Sequence, residues 1–102
     1  MSRTIHDAII FAAKKHQNQK RKGTNLPYIV HPMEVMQILT ENGCNENVIV
    51  AGILHDTLED TDTKPEEIEA EFGKDILELV LTAKRRQVKN MERTQASYYR
   101  LP

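Results

Sequence analysis

Apolar residues recur along this chain at the three- and four-residue spacing of helices, and no stretch alternates with the period of a strand. Ile5, Ile9, Ala12 and His16 mark one face of a first helix, predicted from Thr4 to Gln19, with Thr4 and Asp7 spaced as a capping box. The run Lys22-Gly23-Thr24-Asn25-Leu26-Pro27 breaks the periodicity and reads as a loop. Pro32 suits the first turn of a second helix carrying Val35, Met36, Ile38 and Leu39, closed by Gly43. Asn45 is placed to cap a third helix, whose Val48, Ile49, Ala51, Gly52, Leu54 and Leu58 leave almost no polar face and predict a central, buried position. Thr63 and Glu66 then read as a capping box for a fourth helix, with Pro65 in its first turn and Gly73 at its end. Ile76, Leu77, Val80 and Leu81 open a fifth helix, and a weaker pattern covers Asn90 to Arg100. The expected class is all-α, a bundle of five to six helices.

With 102 residues, 39% hydrophobic and 28% charged, the chain has the composition of one small globular domain rather than of a disordered segment. There is no Trp, so the core is modest and is expected to draw stability from a bound metal or from a partner surface, including a second copy of the chain. A single cysteine, Cys44, rules out an internal disulfide and suits a reducing, cytoplasmic compartment. No apolar run has the length of a membrane span, and the first residues lack the apolar centre of a signal peptide, so no membrane association is expected. A net charge of −1 argues against a general nucleic-acid binder. The charge is nonetheless unevenly placed: Lys14, Lys15, Lys20, Arg21 and Lys22 crowd one stretch, and the segment from Glu59 to Glu71 is strongly acidic.

The central helix carries the most informative polar residues. His55 and Asp56 interrupt its apolar run, and burying an imidazole beside a carboxylate is costly unless something pairs with them. A core histidine bonded to a backbone carbonyl is the ordinary explanation for a lone His. Here Glu59 and Asp60 follow one turn later, so a continued helix stacks the four on neighbouring faces. Carboxylates gathered around imidazole repel one another in the absence of a cation, and a divalent metal of intermediate softness suits that donor set. Glu59 and Asp60 otherwise read as a solvated helix end, but acids there oppose the helix dipole and call for a compensating reason.

His31 is the best second imidazole. It precedes Pro32 at the mouth of a helix, where the proline is expected to hold its backbone extended and aim the side chain. Taken alone it reads equally as a capping or surface residue. His6 and His16 look like surface or packing residues of the first helix. A ligand set of His31, His55 and Asp56 leaves coordination positions open, as catalysis requires, with Glu59 and Asp60 available to orient or deprotonate a water. Lys20-Arg21-Lys22 would neutralise a polyphosphate, or else simply end a helix with solvated cations. A nucleic-acid patch is disfavoured because aromatic residues are not interleaved with the basic ones; only Tyr28 is near.

Two segments extend this reading. The run from Arg21 to Pro32 (RKGTNLPYIVHP), followed by Leu54 to Thr61 (LHDTLEDT), resembles the HD hydrolase domain of the RelA/SpoT family, most closely its stand-alone small alarmone hydrolases. The resemblance extends from the Phe11 helix through Gly73. It implies a helical HD fold and a manganese-dependent pyrophosphohydrolase that releases pyrophosphate from the 3′ position of guanosine tetra- or pentaphosphate. By position it makes His31, His55 and Asp56 metal ligands, Glu59 and Asp60 the water-activating acids, and Arg21 and Lys22 contacts to the nucleotide. It also implies a further ligand, an Asp in an Ala-Asp-Lys-Leu-like helix, and no such motif occurs in these 102 residues. The chain is therefore expected to be the N-terminal part of a longer domain. Two other readings remain open at this level: an HD hydrolase of another nucleotide such as NADPH, and a nucleotide-binding module without catalysis.

Overall fold

A computed structural model describes residues 4–82. Over that span the chain forms helices α1 (Ile5–Lys15), α2 (Val30–Glu41), α3 (Glu46–Asp60), α4 (Pro65–Phe72) and α5 (Lys74–Thr82), and no strand is found among the described residues. The all-α expectation holds. The pattern over Asn90 to Arg100 lies outside the described residues.

α3 is central because it is apolar on nearly every side. Ile49, Val50, Ala51, Ile53, Leu54 and Thr57 are all buried, and α1, α2 and α5 pack around them. Each fully buried aliphatic side chain of this kind contributes about 1.5–3 kcal/mol. Gly52 lets α2 approach closely: a β-carbon there would collide with Leu39 Cδ1 and sit 3.2 Å from Val35 Cγ1. α4 packs on α5. It is also tied to α1 by an edge-to-face contact between Phe11 and Phe72, centroids 5.5 Å apart, and by an ion pair of 2.8 Å between Lys15 and Glu67.

The helix ends follow capping chemistry, with three shifts from expectation. The Thr4–Asp7 capping box and the Asn45 cap, accepting from the Val48 N–H at 3.0 Å, form as predicted. α1 stops at Lys15 rather than at Gln19, because the residues after His16 are drawn into a narrow loop. There Arg21 N–H donates to Leu26 C=O at 2.9 Å and Tyr28 N–H donates to Gln19 C=O at 2.8 Å. α2 begins earlier than expected, so His31 lies within its first turn and not in extended backbone before it. A proline in the first turn removes an N–H that has no intrahelical partner anyway, while the Val30 and His31 N–H groups bond to Pro27 and Tyr28 carbonyls at 3.1 and 2.9 Å. The cap of α4 is Lys64, not Thr63: Pro65 occupies the first helical position, so Glu67, not Glu66, reaches back to the Lys64 N–H at 3.2 Å.

Candidate functional site

The last two turns of α3 and the first turn of α2 meet around one carboxylate. Asp56 Oδ2 lies 3.1 Å from His31 Nε2 on α2, and its Oδ1 lies 3.2 Å from His55 Nδ1. The side chains are largely sheltered, with 14% of the Asp56 side-chain surface exposed. Burial alone would favour the neutral carboxyl. Hydrogen bonds from His31 and His55 outweigh it and hold Asp56 well below the usual carboxylate range. Reciprocally, the bond to Asp56 raises the His55 imidazole against the opposing effect of its own burial, with the charges of Glu59 and Asp60 adding to the rise.

Glu59 joins this group. One ligating atom each from His55, Asp56 and Glu59 lies within 4.8 Å of the others. The i, i+4 stacking expected on α3 therefore brings Glu59 beside the His-Asp pair, and His31 enters through Asp56. His31 Nδ1 and His55 Nε2 are buried and have no hydrogen-bond partner among the described residues. The His55 ring with the Asp56 and Glu59 carboxylates forms a donor set that fits a divalent cation of intermediate softness, while His31, its Nε2 on Asp56 and its Nδ1 4.0 Å from Glu34 Oε1, stands beside that set and not within it.

Asp60 is placed differently from Glu59. Its Oδ2 accepts from the Tyr28 hydroxyl at 2.7 Å, and its backbone carbonyl accepts from the Gln19 side-chain amide. The Tyr28 ring stacks on His16 with centroids 4.5 Å apart and stands edge-on to His31 at 5.9 Å. Burial, the bond to Asp60 and the nearby charges of Asp56 and Asp60 push the Tyr28 phenol far above the ordinary tyrosine range. His16 proves to be a packing residue, 1% exposed.

Arg21 sits at the rim of this group, where its guanidinium donates to Glu34 Oε1 at 3.1 Å; the same oxygen is 4.0 Å from His31 Nδ1. Lys22 is exposed on the loop beyond. Glu34, Tyr28 and Gln19 are the neighbours that the sequence reading did not single out. Glu34 falls one turn after His31, a spacing that would have flagged it. The contacts of Tyr28 and Gln19 cross between distant segments, and no local spacing announces them.

A family model described as an HD domain matches residues 8–99. A guanosine-3′,5′-bis(diphosphate) 3′-pyrophosphohydrolase of Aquifex aeolicus is 51% identical over 76 residues, covering 74% of this chain and 11% of that protein. The human pyrophosphohydrolase MESH1 is 48% identical over 77 residues, covering 72% of this chain and 43% of that protein. A solved structure, described as a metazoan ortholog of SpoT that hydrolyses ppGpp, superposes with a TM-score of 0.71 at 38% identity, covering 78% of this chain and 47% of that one. The chain thus spans less than half the length of these relatives.

Proposed function

This chain belongs to the HD-domain family, and from that footing we propose that it serves the metal-dependent hydrolysis of a guanosine polyphosphate, releasing pyrophosphate from its 3′ position. The observation that carries the reading is Asp56 held between the imidazoles of His31 and His55, with Glu59 alongside. His31, His55 and Asp56 are the metal ligands, and manganese is the expected cation. A divalent cation there supplies Lewis acidity toward a phosphoryl oxygen and makes water acidic enough to attack at neutral pH.

The remaining work falls to the chain's own groups. Glu59, next to the ligands yet exposed, takes the proton from the attacking water, and Asp60 orients it. Arg21 and Lys22 neutralise phosphate charge as it gathers on the leaving group. The Arg21–Glu34 pair keeps that cation beside His31 before an anion arrives. Cys44 is unpaired, which suits a reducing, cytoplasmic setting.

Incubation of the purified protein with ppGpp and Mn²⁺, with pyrophosphate and GDP followed by ion-exchange chromatography, tests the reading. The expected result is release that Asp56→Asn and Glu59→Gln abolish. Release that persists in both variants, or a wild-type protein that neither releases pyrophosphate nor gains thermal stability from Mn²⁺, would overturn it. NADPH run in parallel identifies the preferred nucleotide.

A further inference from the structure

Asp60 is an exposed carboxylate at the C-terminal end of a helix, where the dipole disfavours it and where its side chain would ordinarily sample several rotamers. In this fold it is gripped twice from one loop. The Tyr28 hydroxyl donates to its Oδ2 at 2.7 Å, and the Gln19 amide donates to its backbone carbonyl. That carbonyl is among the last four of α3, which lack helical partners.

The grip has its own foundation. His16 is 1% exposed, and its Nδ1 lies 2.8 Å from Gln19 Oε1, so the ring donates there and leaves the Gln19 amide to reach Asp60. The Tyr28 ring lies on His16 at 29° between planes, and Tyr28 N–H is anchored on Gln19 C=O at 2.8 Å. The opposite side of Tyr28 meets His31 at 75°. One rigid ring with two torsions therefore fixes the distance between a proposed metal ligand and a proposed catalytic carboxylate.

We propose that Tyr28, seated on His16 and Gln19, is a positioning residue that aims Asp60. The inference rests on the hydrolytic reading above and deepens it. A phenol suits the task better than a cation would. It fixes one oxygen without cancelling the carboxylate's charge, and so leaves Oδ1 free to orient water. A lysine or arginine there would hold the side chain equally well and blunt it as an acceptor.

Tyr28→Phe tests this, because it removes the hydroxyl and keeps the ring on His16. The expected outcome is a fall in kcat of about 10–100-fold, KM within about twofold, and an unchanged Mn²⁺-induced shift in Tm. Adding Asp60→Ala to Tyr28→Phe should lower kcat by much less than Asp60→Ala does alone, since both substitutions remove one function. A kcat within about twofold of wild type, or fully additive losses, would overturn the proposal. A readout independent of turnover separates it from the hydrolytic reading. In carboxyl-labelled protein the Asp60 ¹³C resonance, assigned with Asp60→Asn, should move in Tyr28→Phe while carboxyls remote from Tyr28 stay in place; Asp56, whose carboxylate also acts on the Tyr28 hydroxyl, is not a control. An unmoved Asp60 resonance overturns the positioning role even if the enzyme is active. A moved one in a protein that neither turns over nucleotide nor gains thermal stability from Mn²⁺ supports the grip and overturns only the hydrolytic reading.

Discussion

His31 Nε2 and Asp56 Oδ2 are 3.1 Å apart although they stand on different helices, so the packing of α2 on α3 sets the geometry of the site. Asp56 also receives His55, and it is the group through which both imidazoles are held. Mn²⁺ at 100 times its Kd should stabilise the wild type by about 2.7 kcal/mol, as a ligand that binds only the folded state does. Asp56→Asn keeps the shape and removes the charge, so its melting temperature should barely respond to Mn²⁺. Thermal melts across a Mn²⁺ titration check this, and an equal rise in both proteins would show that the cation binds elsewhere.

Arg21 and Glu34 form a half-exposed pair, with 36% and 37% of their side-chain surfaces accessible. Exposed ion pairs contribute about 0–1 kcal/mol, so Arg21→Ala should leave urea stability nearly unchanged. Its proposed contact with phosphate is worth more, about 1.5–3 kcal/mol, or roughly a tenfold rise in KM and upward. Steady-state kinetics beside a denaturation curve separate the two roles. A large stability loss with KM unmoved would make Arg21 a structural residue only.

How much of this was legible beforehand depended on the range of each interaction. Capping at Thr4 and Asn45, the apolar completeness of α3 and the His55-Asp56-Glu59 spacing are local properties, and each appears where the sequence put it. The backbone at His31 departs from the extended form that a following proline favours, because a helix readily admits proline in its first turn. Asp60 looked equivalent to Glu59 by spacing. They part because Tyr28, far away in sequence, captures one of them. Contacts of that kind depend on how the loop after α1 folds back, and hydrophobic periodicity carries no record of them.

Glu67 offers a pH test away from the site. The hydrogen bond from Lys15, reinforced by the Lys64 backbone, lowers its carboxyl below the ordinary value of 4.5. A carboxyl whose folded value is depressed adds stability above its unfolded value and loses that contribution as pH falls through the folded one. Any contribution of this exposed pair is therefore intact at neutral pH and disappears only in acid. Carboxyl ¹³C titration of Lys15→Met should show the Glu67 midpoint rising toward the ordinary value. An unchanged midpoint would show that Lys15 is not its partner in solution.

Gly52→Ala probes the coupling between packing and site most directly. In an exposed helix interior this change would stabilise by about 1 kcal/mol, since alanine is the better helix former. Here the new methyl runs into Leu39 Cδ1 and meets Val35 Cγ1 at 3.2 Å. Leu39 is 9% exposed and Val35 5%, so neither has much room to withdraw, and valine is stiff about its first torsion. Overpacking of this sort costs about 1–3 kcal/mol, enough to cancel or reverse the helix gain. The net expectation is a destabilisation of about 1 kcal/mol in urea. The strain has one easy outlet, a small displacement of α2 away from α3, and that displacement carries His31 off Asp56. Mn²⁺ affinity measured by calorimetry should therefore weaken in Gly52→Ala although no donor atom has been touched. Leu39→Ala, added as a second change, relieves the closest contact and should recover part of that affinity even though it removes core volume. A Gly52→Ala protein with wild-type metal affinity would mean that the two helices absorb the methyl by side-chain movement alone, and that their spacing does not govern the site.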